Sequence, residues 1–213
     1  MLITVFGATG KVGRRIVQMA LALGHEVRAF GRNVDALIDQ DLRQDNFHAI
    51  KGYVFDDAAV FDAIKGADAV CSALGGAING TDKTRSLGMK HIITQMQKAG
   101  VKRIVSVAGM GLLNDDEHGL IMNRPTYPPV FLPVSNEHKL AWDYLQQSGL
   151  DWTIICPPDI ADADATGHYI TATGYPPTPF KNRINAGDIA HCMLQSITSG
   201  SNVHERLGIC EAP

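Results

Sequence analysis

The chain has 213 residues, a formal net charge of −3 and 45% hydrophobic residues, enough for one substantial core. Its basic residues are scattered and its apolar runs are no longer than strands, which argues against nucleic-acid and membrane binding. No Ser- or Pro-rich linker divides the chain, and the first apolar run begins at Leu2, so we expect one cytoplasmic domain spanning 1–213. The oligomeric state stays open, and a monomer is compatible with the sequence.

The cysteines and histidines give no sign of a disulfide framework or a metal site. Cys71, Cys156, Cys192 and Cys210 are far apart, without a C-x-x-C pair, and we expect reduced core thiols. None of the eight histidines forms an H-x-x-x-H pair or has a cysteine at ligand spacing. We therefore expect no protein-bound metal.

The beginning of the chain carries the most informative motif. The apolar run L-I-T-V-F at 2–6 predicts a strand, and G-A-T-G-K-V-G at 7–13 leads from it into an amphipathic helix. Such a turn collects backbone N–H groups and the positive end of a helix dipole at one point, where a diphosphate can bind. Gly10 lets the diphosphate approach the main chain, and Gly13 lets the helix lie close to the sheet. The motif predicts dinucleotide binding.

Strand-like and helical segments then alternate along the chain. We expect further strands at 26–30, 49–54, 68–74, 101–107, 151–156, 169–173 and 205–210. We expect a first helix that follows the glycine turn and ends near Gly24, and further helices at about 58–64, at 84–99, from 135 or 136 to 148, and at 188–197. Repeated βα units with right-handed crossovers give a parallel sheet. The fold class is therefore α/β, a doubly wound parallel sheet of the Rossmann type.

Two segments stand outside this alternation. Residues 114–133 hold four prolines and cannot form a regular helix or an inner strand. Tyr127, Phe131 and Leu132 give this segment apolar weight, which leaves two interpretations open: a lid over a binding site, or a disordered surface loop. Residues 157–213 are expected to form a small C-terminal substrate region.

The tip of the second strand bears on the choice of nucleotide. In this fold a carboxylate there binds the ribose hydroxyls of NAD, whereas this chain has Arg32. A guanidinium suits the 2′-phosphate of NADP, and we expect NADPH to be preferred over NADH. The alternative is a solvated arginine, and Asp35 would repel the phosphate if it faced inward.

A proton relay common on this fold is missing from the sequence. Alcohol–ketone dehydrogenases and sugar epimerases use a Tyr-x-x-x-Lys pair, but none of the five tyrosines here has a lysine four residues later. Sugar epimerisation is therefore disfavoured. Hydride transfer to an electron-poor conjugated ring remains feasible, because the proton can come from water.

Several segments together carry a family resemblance. They are G-A-T-G-K-V-G from Gly7, A-L-G from Ala73, G-V-K-R-I-V from Gly100, S-G-L-D-W-T-I from Ser148, the double proline at Pro157 and D-I-A from Asp188. The chain resembles the atypical short-chain dehydrogenases/reductases with NmrA-like sequences, and is most similar to the flavin reductase/biliverdin-IXβ reductase family. This resemblance implies an NADPH-dependent reductase that transfers hydride to a flavin, bilin, quinone or similar acceptor.

The resemblance also implies site residues. The cofactor contacts fall on Gly7, Thr9, Gly10, Lys11, Val12, Gly13, Arg32, Val54, Ala73, Leu74 and Gly75, with Pro157 and Pro158 near the nicotinamide. Four positions depart from the family pattern. Gly109 replaces a serine, Asp159 a histidine, Tyr53 an aspartate, and Ala36 a second basic residue.

The implied catalytic positions are His138, Asp159 and Gly109. His138 matches a family histidine that can orient an acceptor or donate a proton; alternatively, it is a first-turn helix residue that faces water. Asp159 beside the nicotinamide would repel anionic acceptors unless Arg124 or Lys139 compensates. We therefore expect neutral riboflavin or quinones to be reduced better than FMN or biliverdin.

A second function stays open at this point. The loss of polar groups at Gly109 and Asp159 is compatible with a non-catalytic NADP(H) sensor of the NmrA kind. In such a regulator, cofactor binding changes the affinity for a protein partner.

Overall fold

The computed structural model describes residues 1–38 and 45–213. The strands in this part of the chain are β1 Leu2–Phe6, β2 Glu26–Gly31, β3 Phe47–Lys51, β4 Ala69–Ser72, β5 Arg103–Val107, β6 Asn114–Asp115, β7 Gly119–Leu120, β8 Asp151–Cys156, β9 Ile160–Ala161, β10 Tyr169–Thr173, β11 Ile184–Asn185 and β12 Glu205–Glu211. The helices are α1 Lys11–Ala22, α2 Asp35–Ile38, α3 Asp57–Ile64, α4 Ser86–Ala99, α5 Leu132–Gln146 and α6 Ala186–Thr198.

Among the described residues, eight strands form one sheet in the order β3-β2-β1-β4-β5-β8-β12-β10. Every neighbouring pair is parallel except the edge pair β10 and β12, which is antiparallel. From β1 the strands follow in chain order to β3 at one edge of the sheet. The chain then crosses to the other side of β1, where β4 lies. The predicted doubly wound α/β fold is confirmed, and its switch point lies between β1 and β4.

Helices cover both faces of the sheet. Ile16 of α1 and Met193 of α6 belong to one buried apolar cluster, and Ile92 of α4 and Leu145 of α5 belong to the other. Both faces of the central strands are therefore removed from water, and all four residues of β4 are buried. This explains why the inner strands read as continuous apolar runs in the sequence.

The segment 114–133 has regular structure and is not the disordered surface loop of the second interpretation. It contains the β6–β7 hairpin and short 3-10 turns at 121–123 and 129–131. Ile121 and Met122 are buried in the apolar cluster that contains α4 and α5. Helix α5 begins at Leu132, earlier than predicted, because Pro133 fits the first turn of a helix, where its missing N–H costs nothing.

The C-terminal part contains the predicted strands and helix, with the additional short strands β9 and β11 and an earlier helix start. Helix α6 begins at Ala186, and Asp188 in its first turn is fully buried. Its carboxylate accepts hydrogen bonds from the backbone N–H groups of Thr166 and Gly167, both at 2.8 Å. Asp188 therefore fastens the 166–167 segment to α6, in addition to lying near the helix N-terminus.

Other expectations concern the thiols and the membrane. All four cysteines are buried and carry free thiols. Burial raises the pKa of Cys71 and of Cys156 to about 12, so both stay protonated and unreactive. In residues 1–38 and 45–213, no helix has the length and apolar character needed to cross a membrane.

Candidate cofactor-binding site

A cavity of about 710 Å³ lies across the carboxyl ends of β2, β1, β4 and β5. Arg32 marks its end beside β2, and Val107 and Ala108 mark its end beside β5. Neighbouring strands are spaced about 4.8 Å apart, so these ends are roughly 14 Å from each other. The crevice above a switch point is where doubly wound sheets bind their ligands.

The glycine turn forms the middle of the cavity wall. Gly7 has φ +74°, and a Cβ there would lie 2.4 Å from the carbonyl oxygen of Ala73. A Cβ on Gly13 would lie 2.1 Å from the carbonyl oxygen of Gly7, so α1 can approach the turn only with glycine here. The N-cap of α1 is Gly10, which leaves the first N–H groups of the helix free of a side-chain cap. This arrangement fits a diphosphate.

The end of the cavity beside β2 is lined by Arg32 and Tyr53, both exposed. Asp35, the residue that would oppose a phosphate beside Arg32, is bound to Lys51 with 3.2 Å between Nζ and Oδ2. Neither member of that pair lines the cavity. The side chain of Ala36 lies outside the described part of the structure.

The opposite end is mostly apolar. Leu74, Val107, Ala108 and Ile160 line it, together with His138 from the second turn of α5. Burial, and next the charge of a nearby arginine, lower the pKa of His138 to about 3. The imidazole is therefore neutral near pH 7. His138 lies in the cavity wall, and it belongs to the second turn of the helix and not to the first.

The structure places most of the expected cofactor residues in one wall. Those that line the cavity are Gly7, Thr9, Gly10, Lys11, Val12, Arg32, Val54, Ala73, Leu74 and Gly75. Gly13 supports the wall from behind, by its contact with Gly7. Pro157 and Pro158 are buried outside the lining, where the carbonyl oxygen of Pro157 accepts a hydrogen bond from Met110 N at 3.0 Å.

Two of the three catalytic candidates lie outside the cavity lining. Asp159 is exposed, and its carboxylate accepts a hydrogen bond from Asn182 Nδ2 at 3.0 Å. Gly109 is not part of the lining, although a Cβ on it would come within 3.9 Å of the His138 ring.

Sequence reasoning missed Arg85 as a member of this wall. Arg85 directly precedes α4, and its guanidinium donates hydrogen bonds to the carbonyl oxygens of Gly76, at 2.9 Å, and Ala77, at 3.0 Å. The one available signal was its place on the connection that leaves β4 at the switch point. No periodicity marks such a residue.

The charge of the cavity differs from the expectation built on Asp159. Among the described lining residues, the charged ones are Lys11, Arg32 and Arg85, and none is acidic. Because Asp159 does not line the cavity, the electrostatic reason for preferring neutral acceptors is removed. Within the same residues, no group of three or more His, Cys, Asp or Glu side chains could hold a metal ion.

The sheet order and the glycine turn together define a Rossmann-type dinucleotide-binding protein. The model of the NAD(P)H-binding family matches residues 7–200. The chain belongs to this family, and its cofactor is accordingly a nicotinamide dinucleotide.

Similar proteins agree with this assignment. YwnB from Bacillus subtilis is 32% identical over 174 residues, which cover 79% of this chain and 78% of YwnB. A candidate NADH-flavin reductase from Streptococcus pneumoniae has a TM-score of 0.83 and 26% identity, and 99% of each chain is covered. A candidate epimerase from Bacteroides thetaiotaomicron has a TM-score of 0.85 and 25% identity, with 100% of this chain and 97% of that chain covered. The family and the candidate NADH-flavin reductase support an oxidoreductase role.

Proposed function

We propose that this protein is an NADPH-dependent reductase that transfers hydride to a conjugated acceptor such as a flavin, bilin or quinone. The observation that carries the proposal is the single cavity that joins Arg32, the glycine turn and the apolar end around His138. When bound, the nicotinamide cofactor supplies the hydride. The candidate flavin reductase of the same fold adds support.

Different residues of the cavity bind different parts of the cofactor. The free N–H groups at the start of α1 hold the diphosphate, and Lys11 adds a positive charge beside it. Arg32 pairs with the 2′-phosphate, which is the basis for proposing NADPH over NADH. Leu74, Val107 and Ile160 form an apolar wall that keeps water from the reacting face.

The source of the proton follows from the proton donors that the apolar end of the cavity contains. The sequence has no Tyr-x-x-x-Lys relay, and His138 is neutral near pH 7 because its pKa is lowered to about 3. We therefore assign the proton that accompanies the hydride to water. This limits the acceptor to compounds whose reduced form takes up a proton without enzymatic help, as electron-poor conjugated rings do.

A stopped-flow experiment tests the proposal. The protein is mixed with slightly less than one equivalent of NADPH, and the complex is then mixed anaerobically with riboflavin, FMN or a soluble naphthoquinone. We expect the absorbance at 340 nm to decay to completion, with a rate that saturates as the acceptor concentration rises. The control is free NADPH with the same acceptors at the same concentrations.

The same experiment addresses the second function. Gly109 leaves the space beside His138 without a polar side chain, as a non-catalytic NADP(H) sensor allows. A sensor would bind NADPH and leave it reduced with every acceptor. That result would overturn the reductase proposal and favour the sensor.

A further inference from the structure

Arg85 occupies a position that the binding roles above do not use. It lines the cavity at the apolar end, since it also lines a small inner recess whose walls include Val107, Ala108 and His138. Val107 ends β5, Ala108 follows it, and His138 lies on α5, whereas Arg32 follows β2, three strands away in the sheet. The guanidinium therefore lies on the side where the acceptor meets the nicotinamide, and not beside the nucleotide phosphates.

The hydrogen bonds of Arg85 leave part of its guanidinium for a ligand. A guanidinium has five N–H groups, and the two bonds to Gly76 and Ala77 use one on each terminal nitrogen. These bonds fix the plane of the group, which lowers the entropy lost when a ligand binds. The residue is half-buried, so its charge is less screened than that of an exposed arginine.

The two carboxylates whose charges act on Arg85 already accept hydrogen bonds from other groups. Glu137 is buried and accepts hydrogen bonds from Lys83 Nζ, at 2.6 Å, and from the Ser86 hydroxyl. Asp82 accepts one from the backbone N–H of Thr84 at 2.8 Å. Neither carboxylate lines the cavity, and neither forms an ion pair with Arg85 in the described part of the chain. Arg85 therefore presents a positive charge to the cavity.

We propose that Arg85 is an anion-binding, specificity-determining residue for the acceptor. The acceptor is then a conjugated ring system that carries a carboxylate or a phosphate, and the guanidinium binds this group by charge-assisted hydrogen bonds. The inference rests on the proposed reductase function and names its substrate class. It reverses the preference for neutral acceptors that the sequence alone suggested.

FMN and riboflavin form the matched pair for the test, because they share the isoalloxazine ring and differ by one phosphate. Steady-state kinetics are measured for both with the wild type, Arg85→Gln and Arg85→Lys. We expect the wild type to favour FMN in kcat/KM, and Arg85→Gln to raise the KM for FMN about tenfold or more with little change for riboflavin. Arg85→Lys keeps the charge and should restore part of the preference.

Two controls separate recognition from folding. Lys98→Gln removes an exposed charge near the other end of α4 and should leave both KM values unchanged. The Kd for NADPH should be the same in all variants. If Arg85→Gln does not fold, the wild type still gives an answer, because raising the salt concentration should raise the KM for FMN and not that for riboflavin.

Each other outcome overturns a stated claim. Equal losses with both flavins would mean that Arg85 serves only to hold the Gly76–Ala77 loop, and would overturn the inference while NADPH oxidation continues to support the reductase. A wild type that favours riboflavin, or shows no salt dependence with FMN, would also overturn it. If NADPH binds but no acceptor oxidises it, the reductase function fails, and the inference fails with it.

Discussion

Single residues at the two ends of the cavity have different origins in the sequence. Arg32 follows β2, at a position where the fold itself assigns a role in distinguishing the two ribose types. Arg85, directly before α4, and His138, on α5, line the other end of the cavity. The place of Arg32 could be predicted from the strand that it follows. That of His138 was implied by the family resemblance, and that of Arg85 depends on how the helices pack.

At the residue scale, Arg32→Ala should change the choice of cofactor. Loss of a charge-assisted contact to the 2′-phosphate should raise the Kd for NADPH by about tenfold or more and leave the Kd for NADH nearly unchanged. Fluorescence titration with both cofactors measures this ratio. Arg183→Ala is the matched control, because Arg183 is exposed and pairs with Glu211, away from the cavity lining. An unchanged ratio in Arg32→Ala would contradict the assignment.

At the scale of elements, β1, the glycine turn and α1 act as one unit. Glycine at 13 lets α1 begin against the carbonyl oxygen of Gly7, whereas glycine at 10 leaves room on the cavity side. One position therefore serves the packing of the unit and the other serves the ligand.

Alanine substitutions should separate these two roles. A Cβ at 13 would lie 2.1 Å from Gly7 O, so Gly13→Ala should displace α1 and lower both the stability, by about 2 kcal/mol or more, and the affinity for NADPH. At Gly10 the same atom would lie 3.3 Å from Gly7 O, a contact that small shifts can absorb. Gly10→Ala should therefore weaken NADPH binding with little change in stability. Urea unfolding and cofactor titration measure the two effects. An equal loss of stability in both variants would contradict the assignment of packing to Gly13 and of ligand binding to Gly10.

The elements also show where sequence patterns fail. Strands β1, β8 and β10 lie at their predicted residues, because period and composition together specify a strand. The segment 114–133 gave only a negative signal, the exclusion of regular structure by its prolines. Its short hairpin and 3-10 turns are set by tertiary contacts such as the burial of Ile121.

At the scale of the whole molecule, one sheet lies between two apolar clusters. Strand β5 contributes Ile104 to one cluster and Val105 to the other, and β1 does the same with Phe6 and Val5. Neither cluster can be exposed without loss of the shared strands. We therefore expect the protein to unfold as one cooperative unit.

Cofactor binding should stabilise the whole unit. At an NADPH concentration of about 100 times Kd, mass action adds about 2.7 kcal/mol to the free energy of unfolding. For a chain of this size the midpoint of thermal unfolding should rise by about 5 to 10 °C in a single transition. Differential scanning calorimetry with and without NADPH measures this shift. Two transitions, only one of them displaced by the cofactor, would contradict a single unit.

The sequence by itself determined the α/β class, the nicotinamide-binding turn and the cation at the end of β2. These features are local, because a strand, a glycine turn and a helix start specify a phosphate cradle from adjacent residues. Only the tertiary structure decided the other end of the cavity. It brought Arg85 into the wall beside His138, whose place there only the family resemblance had implied, and left Asp159 bound to Asn182 outside it. The physical reason is that side chains from separate elements meet only when the helices pack on the sheet, and spacing along the chain does not encode that contact.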